Sequence, residues 1–294
     1  MNIKNKKEEK DKIFLKLKPK KELGQNFLFD EKVLKEIVES NSFSENDLVI
    51  EIGSGYGTLT NILAKTRCEK IISIEKDDML FQRLEIINKD KKIDYIKKDA
   101  LEVNWEELCS NYKNKRIILF GNLPYYISNS LIVNLLINRK LFSSFFFLIQ
   151  KEVGQKWSSS PTTYSSNYSA LSVFINFLTN TEIVLEVDRS KFTPSPLVDG
   201  SLVKIEILDE RKDIENKKIL SFFKFLKSCF LSRRKTLINN LVGFLGKQSL
   251  KYLTEYFQEK KYDLNLRPQN FNSNEYFEMF IKFNETKKSP NFAI

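Results

Sequence analysis

The sequence predicts an α/β fold, in which a mostly parallel, doubly wound sheet with an antiparallel edge precedes a small all-α C-terminal domain. Between residues 21 and 208, short apolar runs rich in β-branched residues alternate with helical patterns, as they do in parallel sheets. Beyond residue 209, apolar residues recur at helical spacing. The length of 294 residues suits one large and one small domain, and 41% hydrophobic with 29% charged residues is typical of a folded globular chain.

The predicted strands are, in chain order, Leu48–Ile52, Lys70–Glu75, Asp94–Lys97, Arg116–Phe120, Phe145–Ile149, Ile183–Val187 and Leu202–Ile207. Helical patterns separate the first five strands, at Thr58–Ala64, Asp77–Ile87, the Trp105–Leu108 region and Ser128–Ile137. Connections of helical length favour parallel neighbours. The last two strands are joined only by the turn-rich segment Asp188–Ser201, so we expect them to form the antiparallel edge.

We predict three regions: a basic, disordered tail over 1–20, the sheet domain over 21–208, and a helical domain over 209–294. The charged segment Asp209–Lys218 is the expected linker. Helices are predicted at Ile219–Leu231, Thr236–Leu245, Ser249–Phe257 and Ser273–Phe283.

The net charge of +10 is unevenly spread along the chain. Residues 1–21 carry +6, residues 22–208 carry −3 and residues 209–294 carry +7. Two basic ends around an acidic middle indicate a polyanionic partner such as nucleic acid. A generally lysine-rich composition, with 39 Lys and 9 Arg, is the alternative explanation.

The sequence lacks the features of membrane and secreted proteins. Its apolar runs fall short of the roughly 18–20 residues that span a bilayer. The N-terminal stretch MNIKNKKEEKDKIF is charged and has no apolar segment of a signal peptide. We therefore expect a cytoplasmic protein without a membrane partner.

Two features of the composition limit the kinds of catalytic and metal site that the chain can contain. The chain contains no His, which excludes Ser-His-Asp and Cys-His catalysis, HExxH zinc proteases and zinc nucleobase deaminases. Its three cysteines, Cys68, Cys109 and Cys229, are far apart and form no CxxC pair. We therefore predict no metal site, and any reaction must use carboxylates, amides, hydroxyls, basic side chains, the backbone or a bound cofactor.

A glycine-rich turn follows the first strand at Gly53-Ser54-Gly55-Tyr56-Gly57. Such a turn before a helix lets a ligand approach the backbone. The dinucleotide fingerprint GxGxxG would need Gly at position 58, which is Thr58. The pattern therefore favours a nucleotide-like ligand without a pyrophosphate, and S-adenosylmethionine (SAM) is the leading candidate for Gly53 and Gly55.

Two acidic residues at later strand ends support this interpretation. Glu75 ends the second strand and can accept both ribose hydroxyls, whereas Asp99, after the third strand, can accept a hydrogen bond from an adenine amino group. Either carboxylate alone is more often a helix cap or a solvated loop residue. Three strand ends with suitable residues, at the edge where α/β sheets bind ligands, favour a cofactor site.

The tetrapeptide Asn122-Leu123-Pro124-Tyr125 follows the fourth strand. It can be a simple turn, but at this position it resembles the [N/D]PPY motif of enzymes that methylate exocyclic amines. The Asn122 side-chain oxygen and a carbonyl at Leu123 or Pro124 can accept the two N–H groups of an adenine amine, while Pro124 fixes the backbone. Tyr125 can stack on an extruded base.

Six segments occur in an order typical of one family: Leu23–Leu28 (LGQNFL), Glu51–Gly55 (EIGSG), Gly121–Tyr125 (GNLPY), Gln150–Val153 (QKEV), Phe192–Asp199 (FTPSPLVD) and Arg233–Leu237 (RRKTL). Together they closely resemble the KsgA-type small-subunit ribosomal RNA adenine N6,N6-dimethyltransferases. The resemblance covers about residues 21 to 270.

The resemblance implies a class I SAM-dependent methyltransferase sheet and assigns roles to several residues. Asn26 and Leu28 resemble the family's lid over SAM, and Phe192 resembles the second aromatic that sandwiches the target base with Tyr125. The family's SAM contacts align with Gly53, Glu75, Asp99 and Asn122. The resemblance favours contacts between rRNA phosphates and Arg233, Arg234 and Lys235. The alternative is that these side chains are simply solvated at a helix end.

The resemblance also implies the substrate: two adjacent adenines in the 3′-terminal hairpin of 16S rRNA, each methylated twice on a preassembled small subunit, with a role in late subunit assembly. One alternative is an Erm-type 23S rRNA methylase, although those enzymes usually carry NIPY in place of NLPY and lack the QKEV segment. The other is a non-catalytic assembly factor that kept the fold. We expect the protein to be a monomer.

Overall fold

The computed structural model describes residues 19–163 and 165–285, and the predicted tail falls almost wholly outside them. Its strands are β1 (Phe27–Leu28), β2 (Asp47–Ile52), β3 (Lys70–Glu75), β4 (Ile93–Lys97), β5 (Arg116–Asn122), β6 (Ser144–Gln150), β7 (Thr179–Val187), β8 (Phe192–Thr193) and β9 (Gly200–Ile207). Its α-helices are α1 (Glu31–Glu39), α2 (Thr58–Leu63), α3 (Asp78–Ile87), α4 (Trp105–Leu108), α5 (Ser128–Ile137), α6 (Lys151–Trp157), α7 (Ala170–Leu178), α8 (Asp209–Lys212), α9 (Asn216–Cys229), α10 (Leu237–Leu245), α11 (Leu250–Glu259) and α12 (Ser273–Glu285).

Seven strands form one sheet in the order β4-β3-β2-β5-β6-β9-β7. The first five pair in parallel, with Ile50 beside both Ile72 of β3 and Leu119 of β5. Strands β3 and β4 follow outward from β2 on one side, and β6 follows outward from β5 on the other. The carboxyl ends of β2 and β5 therefore flank the switch point where α/β sheets bind ligands. The predicted parallel, doubly wound sheet is therefore confirmed.

Strand β9 supplies the antiparallel element. Leu208 N–H donates to Leu178 O at 3.1 Å, which places the end of β9 beside the start of β7. Lys151 N–H donates to Asp199 O at 3.0 Å, which places the start of β9 beside the end of β6. β9 thus runs antiparallel to both neighbours, one strand inside the edge.

A second, two-stranded sheet was not predicted. β1 and β8 pair antiparallel, with Phe27 opposite Thr193 and Leu28 opposite Phe192. Each strand has only two residues, too few to show an alternating pattern. This pairing ties the segment before α1 to the FTPSPLVD segment.

The interior of the seven-stranded sheet is apolar and aromatic. All six residues of β2 are buried, and four of them are apolar. The rings of Phe120 and Phe146, on neighbouring strands, stack with centroids 4.8 Å apart. Buried aromatic pairs of this kind add to the stability gained from area burial alone.

The chain divides into two compact units. The first takes in the described residues up to Leu135 together with Leu141–Lys151 and Val184–Lys204; the second takes in Leu136–Lys140, Glu152–Ile183 and the described residues from Ile205 onward. The second unit thus includes α7 and, from Glu152 onward, α6; neither helix was predicted. The boundaries expected at residues 20 and 208 stay predictions.

Arg139 lies fully buried in the second unit. Its guanidinium donates to the carbonyls of Arg211 (2.8 Å) and Ile214 and to the side-chain oxygen of Asn216 (3.1 Å). These bonds hold the segment that joins α8 to α9. The expected linker Asp209–Lys218 contains α8 and the first turn of α9, and its role as a domain boundary stays a prediction. Within the described residues, no helix is long and apolar enough to cross a membrane.

Candidate active site

The carboxyl ends of β2, β3 and β5 border an open cavity. Gly53 and Gly55 follow β2 with φ angles of +79° and +55°, a region that favours glycine. Gly53 N–H donates to Ile74 O at 2.8 Å, and this bond holds the turn against β3. The backbone of the glycine turn therefore forms one wall of the cavity.

Glu75 ends β3, is buried and lines this cavity. Its two carboxylate oxygens accept Gly55 N–H and Asp77 N–H, each at 2.8 Å. Burial raises the pKa of Glu75, although the two amide bonds oppose the shift. Each oxygen has used one lone pair, so the carboxylate can accept further hydroxyl groups.

Asp99 also lines the cavity, on the turn after β4. Its Oδ2 lies 2.6 Å from Lys76 Nζ, and its Oδ1 accepts Leu101 N–H at 2.9 Å. Burial by itself would raise the pKa of Asp99, but these two hydrogen bonds hold the pKa below its ordinary value. Lys76 was not singled out from the sequence, although it lies between Glu75 and Asp77 at the strand end.

The amide of Asn122 has a fixed orientation. β5 extends to Asn122, two residues further than predicted, and the Asn122 Nδ2 donates to the Asn26 main-chain carbonyl at 2.8 Å. A carbonyl can only accept, so the amide nitrogen must face Asn26. The amide oxygen is thereby left as an acceptor at the cavity wall.

The backbone after Asn122 is also fixed. Leu123 is buried, and its N–H donates to Leu148 O at 3.0 Å. Pro124 O accepts Ile127 N–H at 3.2 Å. Among the described residues, none donates to Leu123 O, so Leu123 is the better of the two carbonyl candidates. Tyr125 lines the cavity half-buried, and burial raises its pKa.

Gly121 precedes Asn122 at a point of close backbone approach. A Cβ at this position would lie 2.7 Å from Ile52 O and 3.0 Å from Leu123 Cδ2. β2 and β5 can therefore meet behind the cavity only with glycine at residue 121.

Glu51 lies in β2 behind the glycine turn and is buried. Its Oε2 accepts Thr60 Oγ1 at 2.5 Å and Ser73 Oγ at 2.7 Å, while its Oε1 has no partner among the described residues. Burial raises the pKa of Glu51 to about 7, and the negative charge of Glu75 acts in the same direction. No role was predicted for this carboxyl from the sequence.

The segment Lys20–Asn26, called the strap below, contributes Gly24, Gln25 and Asn26 to the cavity wall. Gln25 Nε2 donates to Asp77 Oδ2 at 2.9 Å. Leu28 is buried after the strap, and its carbonyl accepts Thr58 Oγ1 at 2.9 Å. Asn26 thus adjoins the cavity, whereas Leu28 does not line it.

The second predicted aromatic lies in a different environment. Phe192 is 4% exposed and belongs to an apolar cluster with Leu148 and Leu202. A Cβ on Gly200 would lie 3.2 Å from the tip of the Phe192 ring, so this ring packs closely against the glycine. Stacking on a base would require this ring to leave the cluster, and the role of Phe192 stays a prediction.

The basic segment after α9 lies in the second unit. Arg233 donates to the main-chain carbonyls of Ser165, at 3.0 Å, and of Ser166. Arg234 and Lys235 are exposed. The structure therefore gives Arg233 an internal role, and phosphate contact by all three side chains stays a prediction.

A family model described as ribosomal RNA adenine dimethylase matches residues 16–282. The chain belongs to this family. Its members are SAM-dependent enzymes that dimethylate adenines in ribosomal RNA, and this dimethylase has the fold and the motif order of the family.

Curated relatives are similar in sequence over most of the dimethylase. A ribosomal RNA small subunit methyltransferase A from Ureaplasma urealyticum is 30% identical over 272 residues, which cover 91% of this chain and 93% of the relative. A protein of the same name from Mycoplasmopsis pulmonis is 32% identical and covers 90% and 99% of the two chains. One from Clostridium botulinum is 38% identical and covers 79% and 82%.

Two solved structures share the fold. A dimethyladenosine transferase from Plasmodium falciparum superposes with a TM-score of 0.72 at 23% identity, covering 89% of this chain and 98% of that one. The 23S rRNA methyltransferase ErmE gives a TM-score of 0.65 at 21% identity, covering 88% and 100%. These similarities confirm the predicted fold class.

Proposed function

We propose that this dimethylase transfers methyl groups from SAM to the N6 amines of two adjacent adenines in the 3′-terminal hairpin of 16S rRNA. The observation that carries the proposal is the fixed amide of Asn122, whose oxygen is an acceptor in a cavity also lined by Glu75 and Asp99. The names of the relatives, small subunit methyltransferase A, support the choice of rRNA.

The residues around the cavity fit SAM. Positive φ at Gly53 and Gly55 lets a ligand approach the backbone without a Cβ in the way. The remaining lone pairs of Glu75 suit two ribose hydroxyls, and Asp99 suits the adenine amino group. We assign Asn26 and Leu28 to the lid that closes over the cofactor, with Asn26 on the cavity side.

When bound, SAM supplies an electrophilic methyl group. The chain's part is to hold the target amine: Asn122 Oδ1 and Leu123 O each accept one N–H of adenine N6, which aims the nitrogen lone pair at the methyl carbon. The two oxygens also stabilise the positive charge that develops on N6. After the first transfer one N–H remains, and either oxygen can hold it for the second. In each transfer the amine proton leaves to solvent, which suits a chain without His.

We assign RNA contacts to aromatic and basic side chains. Tyr125 stacks on the extruded adenine, and Phe192 joins it if its ring leaves the apolar cluster on RNA binding. Arg233, Arg234 and Lys235 contact phosphates, in a helical region over 209–294 that binds the ribosome. The basic tail over 1–20 adds long-range attraction to RNA, which weakens as salt is added.

We further propose that the protein acts as a cytoplasmic monomer on a nearly complete small subunit, late in its assembly. Two other functions compete. An Erm-type enzyme would modify 23S rRNA, and the fold shared with ErmE allows it. An assembly factor would bind the subunit without transferring methyl groups.

The deciding experiment is methyl transfer from labelled SAM to undermethylated small subunits, with large subunits in parallel. Primer extension then maps the modified adenines. We expect N6,N6-dimethyladenine in the terminal hairpin of the small-subunit RNA. Label confined to large-subunit RNA would support an Erm-type activity, and SAM binding without label in either subunit would support an assembly factor.

The catalytic assignment is tested with Asn122→Ala. This variant should keep binding to SAM and to subunits but lose most methyl transfer, because one of two oxygens that orient the amine is gone. Asn61→Ala, an exposed position on α2, is the matched control and should transfer at the rate of the unmodified protein. Equal turnover by the two variants would remove Asn122 from the mechanism.

A further inference from the structure

The strap is anchored through Lys20 and Gln25 to a single buried carboxylate. Asp77 is 3% exposed. Its Oδ2 accepts Gln25 Nε2 at 2.9 Å, and Lys20 Nζ lies 3.0 Å from the same oxygen. Lys20 N–H in turn donates to Gln25 Oε1 at 2.8 Å, which fixes the Gln25 amide. Two strap side chains therefore converge on one acceptor.

Asp77 is charged at neutral pH. Burial by itself would raise its pKa, but hydrogen bonds from Lys20, Gln25 and Met79 N–H together lower the pKa. The same carboxylate caps the start of α3 through Met79 N–H at 3.0 Å. The anchor is therefore a fixed group on a regular element, not a mobile surface side chain.

The last residue of the strap contacts Asn122, the residue proposed to bind the amine. Asn26 follows Gln25 directly, and its carbonyl accepts Asn122 Nδ2 at 2.8 Å. Beyond it, Phe27 is held by the pairing of β1 with β8. The Asn26 carbonyl is thus fixed from both sides, by the Gln25–Asp77 bond before it and by strand pairing after it.

Asp77 also contacts the proposed ribose acceptor. Its N–H donates to Glu75 Oε1 at 2.8 Å. A continuous path of bonds therefore runs from Glu75 through Asp77, Gln25 and the Asn26 carbonyl to Asn122. The two ends of the path are the cofactor carboxylate and the amide that receives the target amine.

We infer that Asp77 and Gln25 are positioning residues for methyl transfer: by anchoring the strap they hold the Asn26 carbonyl that orients the Asn122 amide. The inference rests on the proposed function for its kinetic consequence only. Its structural consequence, the fixed amide of Asn122, concerns the ligand-free protein and can be measured independently of any substrate.

The first test is NMR on protein labelled with [15N]asparagine, with the Asn122 side-chain signals identified by their loss in Asn122→Ser. Gln25→Leu and Asp77→Asn should shift these signals or speed their hydrogen exchange. Asn keeps the α3 cap, because its side-chain oxygen accepts as well as Asp does. The matched controls are Gln258→Leu, an exposed position on α11, and Asp78→Asn, which pairs with Lys97 beside the anchor. Both controls should leave the Asn122 signals in place.

The second test is single-turnover methyl transfer at saturating SAM and subunits. We expect Gln25→Leu and Asp77→Asn to lower the rate constant about tenfold, with dissociation constants for SAM changed by a smaller factor. Unchanged Asn122 signals in both strap variants would overturn the inference. So would rates within twofold of the controls. If the unmodified protein methylates no subunit, the proposed function fails, while the NMR result still decides whether the strap orients Asn122.

Discussion

Lys76 Nζ lies 2.6 Å from Asp99 Oδ2, so the carboxylate assigned to the adenine amino group already has a cationic partner. Half of the Lys76 side chain is exposed to solvent. A partly exposed pair of this kind is worth about 0.2–1 kcal/mol. In the proposed complex, SAM therefore shares or displaces this contact.

Lys76→Met should free Asp99 for the cofactor. The pKa of Asp99 should rise towards its ordinary value, because the hydrogen bond from Lys76 that lowers it is gone. SAM should bind more tightly, by up to about fivefold in Kd. Carboxyl NMR and calorimetric titration with SAM measure the two effects. Weaker binding would mean that Lys76 itself contacts the cofactor.

Gly121→Ala should destabilise the protein and lower methyl transfer. The added methyl would meet Ile52 O at 2.7 Å, so β2 and β5 must move apart beneath Asn122. Overpacking of this kind costs about 1–3 kcal/mol. Gly243→Ala, in α10 with no atom within 4 Å of the new Cβ, is the control. Its free energy of unfolding should rise by up to about 1 kcal/mol, because alanine favours helix. Equal stability of the two variants would contradict the packing argument.

Arg139→Met should unfold the second unit at lower denaturant concentration. The change removes the donor to the partly buried carbonyls of Arg211 and Ile214, and each polar group left unpaired costs about 1–3 kcal/mol. The neighbouring Lys140 is exposed, and Lys140→Met should unfold like the unmodified protein. Urea unfolding followed by circular dichroism compares the two. A loss below 1 kcal/mol in Arg139→Met would show that water replaces the guanidinium.

The pH dependence of stability should change in Glu51→Gln. The folded-state pKa of Glu51 is about 7, above the ordinary 4.5, so the folded protein keeps this proton after the unfolded chain has lost it. The contribution of Glu51 is therefore fully present below pH 4.5 and falls until about pH 7, by about 3 kcal/mol in total. Relative to the unmodified protein, Glu51→Gln should gain stability between pH 5 and pH 7. Urea unfolding at pH 5, 6, 7 and 8 tests this, and a constant difference would refute it.

The sheet and its ligand-binding edge could be predicted from the sequence because each depends on local patterns. Apolar, β-branched runs define β2 and β3, and Gly53, Glu75 and Asp99 follow strand ends whose positions those runs determine. Several predicted bounds were short: β7 begins at Thr179 and not at Ile183, because its first four residues are all polar and show no apolar run.

The contacts that orient the site could not be predicted in this way. Gln25 and Asp77 are 52 residues apart, and no property of either residue alone specifies the other as its partner. Arg139 resembles any basic surface residue in a chain with 48 Lys and Arg, although it is buried. Phe192 was expected beside the target base, but its place in the apolar cluster depends on β1, β8 and β9 together. All three depend on tertiary packing.

The pairing of β1 with β8 delays completion of the site in the nascent chain. Phe27 and Leu28 leave the ribosome early. Their partners Phe192 and Thr193 are synthesised only after more than half of the chain beyond Leu28 has been added. Since translation adds about 5–20 residues per second, the strap stays without its second anchor for several seconds at least. A nascent chain that stops short of residue 193 therefore has the glycine turn, Glu75, Asp99 and Asn122. It lacks the strand that fixes the Asn26 carbonyl. The dimethylase therefore cannot complete its site until most of the chain has been synthesised.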